Sequence, residues 1–446
     1  MPAFNPHFRA HAPPARLKRP ARACNIARAL SHAAIQHEDE LDDARTRDAA
    51  AALDHSLAPH FDALARFDSS ASLRASALYA RLRPEIERVL GSVARENLAG
   101  ASQPSTLPHA AGANIIRATA WNIERGKRLD GIVGVLGHHP VLASSDVLLL
   151  TELDHGMART ANRFVAREIA ASLKLNYAFA PCYLALNKGS GFEAEAEGEN
   201  TLALHGNALL SRWPLRDAHS LALPNGKDKM RGKEKRLGSQ RAVVADVLHP
   251  AGTFRAVSLH LDAHSSQGHR RRQMALVLAH LAGLRPALPT LVGGDWNTTT
   301  YDASRASRAI AGFFRRTLLG VRRVMRDHYP HPERWFERGL FREIERRGYR
   351  YRDLNVAGAG TLHYRIDDLA AHANLGEWVP QWCFWFINWA LAKTDGRCSF
   401  KLDWFAGRQL SPAAGQPPRV VGDLTDDDGP LSDHDAIVLD FTLSKN

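Results

Sequence analysis

Leu291-Val292-Gly293-Gly294-Asp295-Trp296-Asn297 is an apolar run that ends on an acid and, two residues later, an amide. Short runs of this kind read as buried strands, and a carboxylate at the mouth of one is costly to bury unless a cation or hydrogen-bond partner meets it. Toward the end, Leu431-Ser432-Asp433-His434-Asp435 sets acids around a histidine just before a second apolar run, Ile437-Val438-Leu439-Asp440. In α/β proteins, strand ends are where phosphates and metals gather. Phosphoester hydrolysis needs a positioned water, a cation for the developing charge and a proton-donating partner. Each tetrad alone is a weak signal; the two in this order are hard to obtain by chance.

Further runs of the same texture surround this pair: Asn114 to Trp121, Asp146 to Leu150, Ala208 to Leu210, Ala242 to Val247, Phe254 to Leu259 and Lys401 to Trp404. At least eight strands interleaved with helical stretches imply a layered α/β domain. No internal repeat is visible. Residues 1–30, rich in Pro, Arg and Ala, read as a disordered basic tail. Residues 31–100 are Ala-rich with helical spacing and read as a helical extension of two or three helices. A Gly/Ser/Pro linker then leads to a catalytic domain over 113–446. Within it, residues 301–400 are mostly helical, Arg-rich and aromatic, and read as an insertion on one face of the sheet.

At 446 residues and 45% hydrophobic composition, the chain is long enough for a sizeable core. The formal charge of +11 comes from 58 basic against 47 acidic residues, and part of it lies in the tail, whose first thirty residues hold six Arg and Lys and no acid. A second basic stretch runs from Lys227 to Arg241. Such runs are usually solvated loops; the alternative is a contact for a polyanion. Cys24, Cys182, Cys383 and Cys398 are dispersed and form no C-x-x-C, which points to a reducing, cytoplasmic compartment. Arg and Pro interrupt the N-terminus, so no signal peptide is expected. The densest apolar stretch, Trp382 to Ala392, is roughly half the ~20 residues a bilayer span needs.

The remaining polar interruptions fall at strand ends. Asn122 and Glu124 follow Trp121, and Glu152 and Asp154 follow Leu150. A hard divalent ion such as Mg²⁺ would relieve a carboxylate there, although a lone Glu152 would equally suit the surface. His205-Gly206-Asn207 reads alone as a turn entering a strand, with Asn207 able to donate to a phosphate oxygen. His260 sits in an apolar run, where a lone histidine is more often a satisfied core residue than a catalyst. Arg270-Arg271-Arg272 would place positive potential nearby.

The ordered set Asn122, Glu152, Gly206-Asn207, His260, Asp295-x-Asn297, Asp403 and Ser432-Asp433-His434 resembles the endonuclease/exonuclease/phosphatase superfamily, of deoxyribonuclease-I-like fold. The resemblance spans roughly three quarters of the chain. Each motif is degenerate, but seven in the correct order are specific. It implies a four-layer sandwich of two mixed β-sheets flanked by helices, with the site at one edge. It also implies Mg²⁺, or Mn²⁺, held by Glu152 with Asn122 and Asp433. Asp295 and Asn297 would handle the attacking water, and His434, oriented by Asp403, would face the phosphoryl group. His260 would serve the leaving side, and Asn207 and Arg241 would bind phosphate. Thr151 departs from the family's usual glutamine before the metal-binding glutamate; the ligand itself is kept.

The substrate stays open between two classes. Net positive charge, Arg270 to Arg272 and the 227–241 stretch favour nucleic acid. Trp378, Trp382, Phe384, Trp385, Phe386 and Trp389 favour a sphingomyelinase-like or other lipid phosphoester, with peripheral membrane contact through 378–389, unless these aromatics fill the insertion's own core. Inositol phosphates remain in the second class. A non-catalytic module of the same fold is disfavoured, because every matched catalytic position is retained.

Overall fold

The computed structural model describes residues 53–99, 114–298, 302, 306–365 and 397–444. The basic tail and the aromatic segment 378–389 lie outside the described residues. The architecture is mixed α/β, built on two large sheets. The first has nine strands. Across it run Ala94–Glu96, Asn176–Ala185, Leu204–Ser211, Val147–His155, Ile116–Arg125, Ala436–Leu443 and Leu410–Pro412, with Arg236–Gly238 and Arg419–Val421 pairing to the side. The second has five strands, in the order Asp403–Arg408, Thr290–Asp295, Gly252–Leu259, Arg241–His249 and Leu215–Ala222. Each sheet holds one parallel pair, Ile116–Arg125 beside Val147–His155 and Gly252–Leu259 beside Thr290–Asp295. The other ladders of the two sheets are antiparallel, so both sheets are mixed.

Alternation of side chains along the strands produces the layers. Ile116, Ala118, Ala120, Val147 and Leu149 of the first sheet meet Val243, Ala245, Phe254, Leu291 and Phe405 of the second in one buried cluster. Gly293 leaves room for a neighbouring side chain from the first sheet: a Cβ there would lie 2.7 Å from both Leu149 Cδ1 and Phe405 Cδ1. The outer face of the second sheet packs Val257, Val292 and Trp404 against Met274, Val277, Leu278 and Leu281 of the helix Gln267–Gly283 and against Leu340, Phe341 and Ile344 of Arg338–Arg346. Ser266 caps the first of these helices, accepting from His269 N at 3.2 Å.

The outer face of the first sheet is covered from two directions. Ile132, Leu136, Val165 and Ile169 come from the helices Leu129–His138 and Val165–Leu173. Leu64, Leu73, Leu82, Ile86 and Val89 come from the helices at Phe61–Ala65, Ser70–Arg74 and Ala77–Gly91, and share that cluster with Trp121, Leu150, Phe179 and Leu184. The segment expected to be wholly helical also adds a strand, Ala94–Glu96, to the edge beside Asn176–Ala185. That partner strand carries Pro181, which has no N–H for the ladder, and the register slips between Pro181 and Tyr183. Among the described residues, no helix is long and apolar enough to cross a membrane.

Candidate active site

Two bulges prepare the first half of the site. Along Ile116–Arg125 the register slips between Asn122 and Arg125, and along Val147–His155 it slips between Leu150 and Leu153. Glu124, Arg125 and Glu152 consequently adopt φ of 45°, 68° and 58°, in the left-handed region that side chains other than glycine rarely occupy. The Asn122 amide is oriented by Glu124 N, which donates to Asn122 Oδ1 at 3.1 Å. Asn122 Nδ2 then donates to Glu152 Oε1 at 3.2 Å and to Asp295 Oδ2, from the second sheet, at 3.2 Å.

The second half is built where Thr290–Asp295 ends opposite the start of Asp403–Arg408, with Asp295 and Asp403 in register. Gly294, at φ 133°, brings the strand close against Leu259, where a Cβ would lie 2.3 Å from its carbonyl oxygen. Asn297, at φ 51°, donates its N–H to Asp295 Oδ1 at 2.9 Å and its amide to Leu261 O at 2.9 Å. His260 Nε2 lies 3.4 Å from Asp295 Oδ2 and 4.0 Å from Glu152 Oε1. His434 comes from the loop before Ala436–Leu443, yet its Nδ1 meets Asp403 Oδ2 at 2.8 Å and its Nε2 lies 3.9 Å from Asp295 Oδ2. Ser432 Oγ donates to Asn122 O at 2.6 Å and accepts from His434 N at 3.1 Å, while Trp121 Nε1 donates to His434 O at 2.8 Å. Asn122, Glu152, His260, Asp295, Asn297, Asp403 and His434 therefore converge on one edge of the two sheets.

Charge is distributed unevenly over this group. Burial would raise the Glu152 carboxyl, but Arg125, His260 and His205 outweigh it and hold Glu152 well below the usual carboxylate range. Asp295 is raised by burial, with Asp403 adding and His260 and His434 opposing. Asp433 is pushed up to about 7 by burial and by the Glu124 and Glu152 carboxylates, against His434 and Arg125. Burial alone would lower His434; Asp403 and Asp295 reverse that and hold it well above the ordinary imidazole value. The edge thus pairs a persistent carboxylate and a persistent imidazolium with two carboxyls that keep their protons longer than usual.

Other residues are placed differently from expectation. The Asn207 amide donates to Arg241 O at 2.8 Å and to Cys182 Sγ at 3.4 Å, and its Oδ1 accepts from Glu152 N at 3.4 Å. A buried amide on an inner strand must satisfy its polar atoms locally, and this one steadies the Glu152 backbone. The Arg241 guanidinium donates to Ser220 Oγ at 2.8 Å. Arg270 is fully buried with Glu337, at 2.7 Å, so only Arg271 and Arg272 of that run are exposed. In the basic stretch, Lys229 pairs with Asp262 at 3.0 Å, and Lys235 donates to Ala65 O and Phe67 O at 2.7 and 2.9 Å.

Arg125, absent from the expected set, sits behind Glu152. Its guanidinium lies 3.4 Å from Glu152 Oε2 and 3.0 Å from Glu193 Oε1. Glu193 also meets Arg159 at 2.9 Å; Arg159 pairs with Asp154 at 2.7 Å and Glu234 at 3.2 Å; and Asp154 holds His205 Nδ1 at 2.8 Å. Arg125 reaches this place through the bulge that follows Asn122, which no residue pattern in the sequence marks.

Among the described residues, Glu152 and the half-buried Asp433 carry hard oxygens, with the Asn122 amide beside Glu152. Asp295, Asp403 and His434 offer ligand atoms all within 4.8 Å of one another. In that cluster His434 Nδ1 also meets Asp403, and Asn122 Oδ1 likewise accepts from Glu124 N, so donor chemistry separates the two: a small hard ion takes oxygens.

A family model described as the Endonuclease/Exonuclease/phosphatase family matches residues 119–434. No curated protein matches the chain by sequence. Among solved structures, an endonuclease/exonuclease/phosphatase from Beutenbergia cavernae DSM 12333 is 16% identical, with 74% of this chain and 72% of that one covered and a TM-score of 0.41. One from Bacteroides vulgatus is 14% identical, with 74% and 99% covered and a TM-score of 0.42. A 3'-5' exonuclease from Neisseria meningitidis is 15% identical, with 74% and 100% covered and a TM-score of 0.41.

Proposed function

Because the chain belongs to the endonuclease/exonuclease/phosphatase family, whose members hydrolyse phosphoester bonds, we propose that it is a divalent-metal-assisted phosphodiesterase acting on nucleic acid by direct attack of water. The observation that carries this reading is the convergence of Glu152, Asn122, Asp295, His260 and the Asp403–His434 pair within hydrogen-bonding reach at one sheet edge.

Asp295 acts as the base for the water. Its raised proton affinity suits that task, and Asn297 and Asn122 fix its two oxygens. His434, kept protonated by Asp403 and Asp295, donates from Nε2 to a nonbridging phosphoryl oxygen, where charge grows as the water attacks. Asp403 holds its other nitrogen and so sets the ring orientation. His260 delivers a proton toward the departing oxygen, while the water's proton passes to Asp295. The oxygen donors Glu152, Asn122 and Asp433 would hold Mg²⁺, or Mn²⁺ in its place, which supplies Lewis-acid neutralisation of the phosphoryl charge. Arg125 keeps one oxygen of Glu152 engaged, leaving the other turned toward the site. Asn207 contributes by fixing the Glu152 backbone.

Nucleic acid is favoured by the +11 formal charge and by exposed Arg271 and Arg272. The reaction is tested with bis(4-nitrophenyl) phosphate and supercoiled plasmid in Mg²⁺ or Mn²⁺, with and without chelator. Metal-dependent release of nitrophenol together with plasmid nicking is expected. No turnover of either compound with either ion would overturn the reading.

A further inference from the structure

The catalytic pair Asp403–His434 is gripped by a ribbon that belongs to neither large sheet. Its strands, Leu362–Arg365 and Arg397–Phe400, pair antiparallel and close the span following Asp295. Thr361, fully buried, stands at its base. The Thr361 hydroxyl oxygen accepts from Leu402 N at 3.0 Å and from Asp403 N at 3.1 Å. Its carbonyl oxygen accepts from Asp435 N at 2.7 Å, and its own N–H donates to Phe400 O at 2.7 Å. The next residue, Leu362, bridges to His434, and beyond it His363 Nε2 meets Asp435 Oδ2 at 2.8 Å. One residue thus bonds the backbone on both sides of the dyad: the strand start that carries Asp403 and the loop that carries His434.

We propose that Thr361 is a positioning residue for the reaction, holding Asp403 and His434 in register with each other. The inference rests on the phosphodiesterase reading of the site. The Asp403–His434 contact joins two chain segments anchored in different sheets, so its length depends on whatever ties those segments together. Trp121 and Ser432 tie the His434 loop to the first sheet alone. Thr361 is bonded to both segments at once. Misplacement of a catalytic group by about 1 Å costs on the order of a hundredfold in rate. The His434 donation strengthens as charge grows on the phosphoryl oxygen in the transition state, so its misplacement falls on kcat more than on KM.

Thr361→Val keeps the volume but leaves two buried N–H groups without an acceptor, whereas Thr361→Ser keeps the oxygen. With bis(4-nitrophenyl) phosphate and Mn²⁺, Thr361→Val is expected to lose about 10- to 100-fold in kcat. KM and Mn²⁺ affinity should stay within about twofold, and Thr361→Ser should recover most of the rate. A second readout needs no turnover. In protein labelled with ¹⁵N-histidine, a downfield Nδ1–H resonance that disappears in His434→Gln should be present in wild type and Thr361→Ser and broadened or lost in Thr361→Val. An unchanged kcat and resonance in Thr361→Val, or an equal loss in Thr361→Ser, would overturn the proposal. If Thr361→Val does not fold, His363→Ala releases the exposed side of the same grip. A wild-type kcat and an unshifted resonance in that variant would also overturn it. A wild type that binds Mn²⁺ and shows the resonance but turns over no phosphodiester would sink the function and leave the positioning role standing.

Discussion

The two halves of the site are held by different physics. The half around Glu152 rests on a largely buried ladder of full charges, Arg125, Glu193, Arg159, Glu234 and Asp154, ending on His205, whose imidazole burial holds below its ordinary value; each acid touches a guanidinium or imidazole. The half around Asp295 rests mainly on neutral donors and backbone groups, with Asp403–His434 at 2.8 Å and His260–Asp295 at 3.4 Å as acid–imidazole pairs. A charge ladder fixes the state of a carboxylate and keeps Glu152 ionised across the whole working range. A hydrogen-bonded frame fixes position and leaves room for protons to move. The proposed metal ligand sits in the first environment, and the proposed proton carriers sit in the second.

The contrast is broken most severely at its catalytic end. Asp295→Ala or His434→Ala is expected to lower kcat by at least about 10³-fold. The circular dichroism spectrum should stay unchanged, because the frame around each is backbone. Retained activity in pure His434→Ala would refute the division of roles. Next, Arg159→Met should test the ladder as a stability element. It removes the guanidinium shared by Asp154 and Glu234, leaving Asp154 with His205 and Glu234 with Arg236, at a cost of about 3 kcal/mol read from urea unfolding. A loss under 1 kcal/mol would show the ladder to be expendable.

Asp403→Asn leaves a partner on His434 but removes the charge that holds it protonated. A loss in kcat of about 10²-fold is expected, with Mn²⁺ affinity unaltered. The smallest effect concerns pH. Proton and cation compete for the Asp433 carboxyl, which releases its proton only near 7. Metal affinity should therefore be level above about pH 7 and fall by up to about tenfold per unit below it, as measured by Mn²⁺ titration between pH 5.5 and 8. Affinity independent of pH over that window would remove Asp433 from the ligand set.

Much of the fold was legible because strand-forming runs are local. Each of the eight runs read from sequence overlaps a strand, although Lys401 and Leu402 precede theirs, and the mixed two-sheet sandwich follows from them. Asn176–Ala185 escaped notice because it has no β-branched residue and its alanines and Pro181 dilute the aromatic signal, although every one of its residues is buried. The convergent side chains could be read because each lies near a strand end or, for Asn122 and Glu152, at a bulge, where a polar group after an apolar run is conspicuous. Arg125 could not. Its role depends on a bulge and on Glu193, which is remote in sequence. Arg270 misled for the opposite reason: three consecutive arginines look like a solvent-facing patch, but helical geometry sends the first inward to Glu337.

The left-handed backbone at Glu124, Arg125, Glu152 and Asn297 has a consequence for evolution under heat. Each such residue costs on the order of 1 kcal/mol relative to glycine, and all four flank the proposed chemistry. Where the side chain holds no ion pair, selection for folding alone would reward glycine. A thermostable variant obtained without an activity screen is expected to accumulate substitutions such as Asn297→Gly, gaining melting temperature while losing turnover. Stability and catalysis compete here for the same few backbone angles.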